Sequence, residues 1–454
     1  MPKFQLAEHQ TEAVRRMKKT HQLGIFYEAG CGKTMCVLDL LYQAFKEKRI
    51  CNALIICPAS IVSNWESSIK KMRAFEGYTD YGVKTMYQLV TIRSYQMCYT
   101  KMDYQVHNRD GSIEAKKKTV IRPELLHPWG AIIIDESQGL GDANSTQTNI
   151  CIRMAALTER RYILSGTPVS GGGGAEDYKK LYGQLKFLNP ELWPDYGAFC
   201  KELVTKIDYF GRPKAYRKKE CETLLRNFGL VARLDDCYDM PESMDIDVTV
   251  DSTVTEEYVR VLKGDTQDYG FTVKTGGGYF VKLLELSSGF LLGDDGRCTE
   301  FETGKPEAVE TVLSGTNDKV VVFCNYSHSV DLVKSICARH GKTVTFDGRS
   351  NGDSWREFQY GNAKYLVCQY QSGGVGIDLF ASHTTIFFEP SLSSLLMEQA
   401  KARTRRKGQK KKCLYYWIST KGTIEEKVIE TVKSGVEVTR DLLEKWADSI
   451  RRGE

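Results

Sequence analysis

What this chain of 454 residues lacks narrows its class. It has fourteen cysteines, yet no two of them form a C-x-x-C pair, so neither a metal nor a disulfide framework is spelled out. Several sit inside apolar runs instead, Cys57 in ALIICP and Cys324 in VVVFCN, and read as small buried hydrophobes in a reducing compartment. No run reaches the roughly eighteen apolar residues that a spanning helix needs, and the opening MPKFQLAEHQ has no apolar signal core. The expectation is a soluble intracellular protein with no membrane partner. A short-period repeat is also missing. The formal net charge of +5 is mild. Its placement is uneven: KARTRRKGQKKK, residues 401–412, carries eight cationic side chains and no acid, which suits an anionic partner or a solvated face.

What is present suits a sizeable globular protein of two or three domains, with 41% hydrophobic residues to fill their cores. Short apolar runs alternate with amphipathic helical stretches twice over. LGIFY, ALIICP, LVTI, GAIIID and RRYILSG read as buried parallel strands in the first half, and KVVVFC, KTVTFDG, KYLVCQ, TTIFFEP and CLYYWIS in the second. Two doubly wound α/β units follow, divided near 230/231. Between their strands, residues 175–295 read as mostly helical, with extensions at about 175–230 and 250–295. Glycine runs at 171–174 and 276–278 read as flexible loops. Residues 101–120 read as a polar hairpin insertion turning at Asn108–Gly111, either a solvated ribbon or a DNA contact.

Ligands of open α/β sheets bind beyond the carboxyl ends of strands. After LGIFY comes EAGCGKT, residues 28–34, and then TMCVLDLLYQAF, apolar at helical spacing. Strand, glycine loop and helix form a phosphate cradle: backbone N–H groups hold the anion, Gly30 and Gly32 permit close approach, and Lys33 and Thr34 supply ammonium and hydroxyl. Tyr27 occupies the place of the pattern's first glycine, which mainly shapes the turn. IIIDES ends a second strand in Asp135 and Glu136, one carboxylate to hold Mg²⁺ and one to orient an attacking water. Loop and acid pair together predict ATP and Mg²⁺.

The order of segments resembles the Swi/Snf-type ATP-dependent DNA translocases, a branch of the superfamily 2 helicase-like proteins. LAEHQTEAV is similar to their glutamine motif and EAGCGKT to their E-x-G-x-G-K-T loop. LIICPASIVSNW, TIRSY, IIIDESQ, YILSGTP, KFLNPELW and VARLDDCYDMP follow in the family's order, and VVVFCNYS, TFDGRS, SGGVGIDL and EQAKARTRRKGQ complete it, from about residue 4 to 430. The resemblance implies two RecA-like lobes with helical protrusions, hydrolysing ATP in the cleft between them while stepping on double-stranded DNA as a monomeric motor. Forked DNA belongs to the expected substrates, and two alternatives stay open: a fork-remodelling or annealing motor, and a nucleotide-gated DNA-binding switch with little hydrolysis.

Carried over motif by motif, the resemblance gives Gln10 the adenine edge, and Glu28, Gly30, Gly32, Lys33 and Thr34 the phosphates. Thr34 and Asp135 would serve the metal, and Glu136 the water. Gly376 and Asp378 would sense nucleotide from the second lobe. Arg403 and Arg406 would reach the γ-phosphate, a task suited to arginine's permanent charge and planar fork. Ser165 and Thr167 would either relay the site to DNA or cap a helix. Gln138 stands where the family box usually has histidine, which bears on coupling and rate. The few residues after 430 leave no room for an accessory domain, so targeting by chromatin marks is not expected, and a compact motor suits a bacterial or phage-infected cell better than a nucleus.

Overall fold

The computed structural model describes residues 5–72, 86–107, 113–169, 178–209, 211, 213–271, 276–350, 354–373 and 377–436, with scattered positions from 438 onwards. The chain divides into two compact units, Met1–Val169 with Gly173–Tyr238, and Asp239–Glu454 with Ser170–Gly172.

In the first unit the strands are β1 (Gln22–Tyr27), β2 (Ala53–Cys57), β3 (Val90–Ser94), β4 (Tyr99–His107), β5 (Ile113–Ile121), β6 (Ile132–Asp135), β7 (Arg161–Leu164), β8 (Val204–Ile207), β9 (Pro213–Tyr216) and β10 (Gly229–Ala232). Six of them form one sheet in the order β10-β1-β7-β6-β2-β3, every pair parallel. Parallel strands need crossover helices, and helices on both faces bury the sheet. This is why ALIIC and IIID are buried at every position. The pairs β4–β5 and β8–β9 stand apart as two-stranded ribbons.

The second unit repeats the plan. Its strands are β11 (Ser243–Val250), β12 (Phe290–Leu292), β13 (Cys298–Glu300), β14 (Val320–Cys324), β15 (Thr343–Phe346), β16 (Tyr365–Gln369), β17 (Thr384–Phe387) and β18 (Cys413–Thr420). The six-stranded parallel sheet runs β11-β18-β17-β14-β16-β15. Because side chains alternate along a strand, Val321 and Phe323 of β14 enter one core while Val320, Val322 and Cys324 enter the core on the opposite face. The expected α/β class and paired RecA-like sheets are what the chain forms.

Three expectations change. The region 175–295 holds helices at Leu181–Leu188, Tyr196–Leu203, Lys218–Phe228, Thr255–Lys263 and Gly276–Ser287, but it also supplies β10 and β11, one edge strand of each six-stranded sheet. Since β10 pairs with β1 through Gly24↔Gly229 to Tyr27↔Ala232, the compact first unit extends to Tyr238. The glycine run 276–278 opens the helix Gly276–Ser287 rather than a loop. Its later turns bury Phe280, Leu283, Leu284 and Leu286, and that packing overrides glycine's weak helical propensity. The glycine run 171–174 and the turn at Asn108–Gly111 lie outside the described residues.

One polar group in the second core has no solvent. Lys305 is fully buried, with Nζ 2.5 Å from Glu425 Oε1 and donating to Phe388 O at 3.0 Å. Glu425 Oε2 accepts from Thr420 N at 2.9 Å. Burial holds the Glu425 and Glu389 carboxyls above the usual carboxylate range, with the Lys305 ammonium opposing the shift.

Candidate nucleotide site

β1 carries the chain into the loop, and the helix Lys33–Lys46 leaves it with Lys33 as its first residue. Gly30 and Gly32 take left-handed conformations, φ 95° and 79°, which glycine adopts without the steric penalty of a Cβ. At Gly32 space is also closed, because a Cβ there would lie 2.1 Å from Gln10 Nε2. Gln10 is buried beside the loop, donating to Cys31 O at 3.1 Å and accepting from Ala7 N at 2.9 Å. Lys33 Nζ donates to Tyr27 O at 2.7 Å. Thr34 follows on the same helix, half-buried. A helix of fourteen residues with its N-terminus at this loop presents a positive dipole end there.

Tyr27, the residue in place of the first glycine, is itself buried and donates its hydroxyl to His9 O at 2.8 Å. His9 in turn lies 2.9 Å from Cys31 O through Nε2. The tyrosine thus braces the first helix against the loop. Glu28 Oε2 accepts from Leu234 N at 2.8 Å, linking the loop to the segment VARLDDCYDMP.

Asp135 is the last residue of β6 and is buried. Its Oδ2 accepts from Trp65 Nε1 at 2.9 Å and its Oδ1 from Glu136 N at 2.9 Å. Burial, followed by the Glu136 carboxylate, pushes the Asp135 carboxyl up to about 7, with Lys33 pulling the other way. Two adjacent carboxylates with so little countercharge make a place where a divalent cation relieves strain, so the donor set fits Mg²⁺. Glu136 takes a left-handed conformation, φ 50°, rare for a residue with a side chain. Its Oε2 accepts from Gln138 Nε2 at 2.7 Å. Gln138 Oε1 accepts from Ser165 Oγ at 2.7 Å, and Ser165 Oγ accepts from Thr167 N at 3.0 Å. A continuous chain of hydrogen bonds therefore joins the water-orienting candidate to the S-G-T turn. Gly166 lies at the loop, its Cβ position 3.6 Å from Lys33 Nζ.

Sequence reasoning assigned no role to three residues that hold this arrangement. Trp65, in the quoted SNW, aims the Asp135 carboxylate. Tyr95, in TIRSY, donates its hydroxyl to Asp135 O at 2.8 Å. Gln184 accepts from Ser137 Oγ at 2.8 Å and donates to Pro168 O at 2.8 Å, tying the acid pair's turn to the S-G-T-P segment. Trp65 and Tyr95 lay inside recognised motifs, but nothing in their spacing shows which group they face.

In the second unit, Arg403 sits on the helix Ser394–Thr404, buried, with Nε donating to Gln399 O at 3.0 Å and an NH1 contact to Ile377 O at 3.3 Å. Arg406 reaches the same carbonyl at 3.4 Å and pairs with Asp378 Oδ1 at 2.8 Å. Three assigned residues thus gather at one loop. Gly376 lies outside the described residues. Much of the basic segment is spoken for: Lys401 pairs with Asp245, Lys411 with Asp318, Lys412 with Glu242, and Arg405 donates to Pro241 O.

The chain matches the SNF2-related domain over residues 9–236 and the helicase conserved C-terminal domain over residues 304–408. It belongs to the SNF2-related family of helicase-like ATPases. Among its relatives, the DNA repair protein rhp54 of Schizosaccharomyces pombe is 24% identical over 89% of this chain and 53% of its own length. The DNA repair and recombination protein RAD54-like of Danio rerio is 24% identical over 94% of this chain and 65% of its own. The chain spans about half to two thirds of the length of these relatives. A solved structure described as the Sulfolobus solfataricus SWI2/SNF2 ATPase core in complex with dsDNA is similar over 99% of this chain and 94% of that one, at 20% identity and a TM-score of 0.42. No helix among the described residues is long and apolar enough to cross a membrane.

Proposed function

We propose that this chain is a DNA-dependent ATPase that couples ATP hydrolysis to translocation on double-stranded DNA and so remodels DNA or protein–DNA complexes. The observation that carries the reading is the assembly, in one unit, of a glycine loop at a helix N-terminus with Lys33 and Thr34, beside the buried Asp135–Glu136 pair. Lys33, Thr34, the loop N–H groups and Gln10 hold ATP, and Glu28 keeps the loop's shape from behind. Thr34 and Asp135 would hold Mg²⁺, which would supply positive charge against the phosphates. Glu136 orients the water whose oxygen bonds to the γ-phosphorus as the bond to the β-γ bridging oxygen breaks. Arg403 and Arg406 stabilise the developing charge on the γ-phosphate, and Gly376 and Asp378 sense the nucleotide.

The names of the relatives point to repair and recombination substrates, which favours testing forked duplexes alongside plain ones. Those relatives are eukaryotic and lend no support to a bacterial or phage source. A binding switch with little hydrolysis is the second reading, and the observation that favours it is the engagement of Glu136 by an amide where the family usually has histidine. The deciding experiment is ATP turnover titrated with duplex, forked and single-stranded DNA and with RNA, together with displacement of a third strand from a triplex. Duplex stimulation and ATP-dependent displacement are expected. Stronger stimulation by RNA, or displacement without hydrolysis, overturns the motor.

A further inference from the structure

β4 and β5 form a ribbon that pairs with no other strand among the described residues, in register from Tyr99↔Ile121 to His107↔Ile113. Its base is fixed: Ile121 is buried in the first core, Tyr99 packs against that core, and Arg122 N donates to Cys98 O at 3.0 Å. Beyond the base it stands in solvent, with Lys101, Met102, Asp103, Tyr104, Gln105, Lys117 and Lys118 all exposed. An isolated two-stranded ribbon is marginal in water. A merely solvated one has no use for Met102 at 53% and Tyr104 at 45% exposure beside those lysines.

The charge on this outer part is one-sided. Among the described side chains, Lys101, Lys117 and Lys118 face a single acid, Asp103, which lies 4.0 Å from Lys117 with both side chains at least two-thirds exposed, so the pair is weak. Residues directly opposite share a face, so Asp103 and Lys117 lie on the face that also carries Lys101, while Lys118 and Met102 lie on the other. Cations on both faces suit a ribbon flanked on both sides by phosphates. The major groove of a duplex, about 12 Å wide, admits a two-stranded ribbon. Nine residues at roughly 3.3 Å each span about one turn of that duplex.

We propose that the β4–β5 ribbon is a duplex-DNA arm that lies in a groove and neutralises phosphates through Lys101, Lys117 and Lys118, with Met102 and Tyr104 making sequence-tolerant apolar contact. The proposal rests on the reading of the chain as a duplex motor. The ribbon leaves the fold shortly after Ser94, where the TIRSY strand ends. Its role is to hold duplex through the part of the cycle in which the motor's grip relaxes.

The test uses the full chain and a mixed-sequence duplex, measuring affinity against salt. The variant combines Lys101→Gln, Lys117→Gln and Lys118→Gln. A control removes equal charge at the exposed Lys19, Lys219 and Lys263. Three lost phosphate contacts lower the slope of log affinity against log salt by about 2.7, and weaken binding on the order of a hundredfold at about 0.15 M salt. The control is expected to keep the wild-type slope to within about one. Tyr104→Ala is expected to weaken binding and leave the slope unchanged. An unaltered slope in the ribbon variant, an equal drop in the control, or an equal loss for single strands overturns the arm while leaving the duplex reading intact. Failure of the unaltered chain to bind duplex removes both.

Discussion

Gln138 offers the sharpest test of how the site works. Its side chain is buried and makes two short hydrogen bonds, donating to Glu136 and accepting from Ser165. Gln138→Leu keeps the volume and removes both. A hydrogen bond to a carboxylate is worth about 1.5–3 kcal/mol and a neutral one about 1 kcal/mol, and Ser165, fully buried, would lose its acceptor. If the charged bond is what holds Glu136 in its left-handed turn, turnover should fall by about ten- to a hundredfold, since each factor of ten is about 1.4 kcal/mol of barrier. ATP affinity should move little, because Lys33 and the loop are untouched. The melting temperature should drop by a few degrees. Gln138→His is the informative partner: neutral imidazole can donate to Glu136 and accept from Ser165, whereas imidazolium can only donate. It should restore turnover above the imidazole's pKa and, below it, lose more turnover than wild type does. DNA-stimulated turnover by Gln138→Leu within twofold of wild type, with an unmoved melting temperature, would refute the relay.

Lys33→Ala should abolish measurable turnover in a coupled phosphate-release assay with the melting curve preserved, whereas Glu136→Gln should bind ATP and retain it. Turnover by Glu136→Gln above about a tenth of wild type would sink its role. Arg406→Lys should keep ATP binding and recover only a small part of the turnover lost in Arg406→Ala, because an ammonium lacks the planar fork; normal turnover at saturating ATP with collapsed affinity would reverse the assignment. Lys305→Met should strip Glu425 of its buried partner and cost about 3–5 kcal/mol, read by denaturant titration of the full chain. A midpoint shift corresponding to less than about 1 kcal/mol would show that the carboxyls are neutral without it.

Ten strands were legible as apolar runs, most of them buried along their length as ALIIC and VVVFC are, with β3 and β15 only partly so. The strands at the opposite edges, β10 and β11, were not. β10 is GLVA, too short to stand out, and β11 is SMDIDVTV, whose alternation of exposed and half-buried positions reflects a strand with a neighbour on one side only. The phosphate loop and the acid pair were legible because their chemistry is written in adjacent residues. The orienting contacts of Trp65 and Gln184 were not, since they join positions 70 and 47 residues apart. The same limit misled on charge: eight cations in twelve residues look like one basic face until Asp245, Asp318 and Glu242, each far away in sequence, take three of them.

The pairing of β11 with β18 fixes an order of events during synthesis. β11 leaves the ribosome soon after the first unit is complete, but its partner arrives only at Cys413, about 160 residues later. At about 5–20 residues per second, that strand waits roughly ten to thirty seconds. Until then nothing in the nascent second unit can pair with it, and its row of free N–H and C=O groups is open to any other strand edge. The alternating Asp245 and Asp247 are charges placed where such mispairing would otherwise begin. Slow elongation through residues 250–413 should therefore favour aggregates seeded by this strand, and Asp247→Val, which loses only the pair of a largely exposed carboxylate with Lys433, should lower the soluble yield more than it lowers the melting temperature.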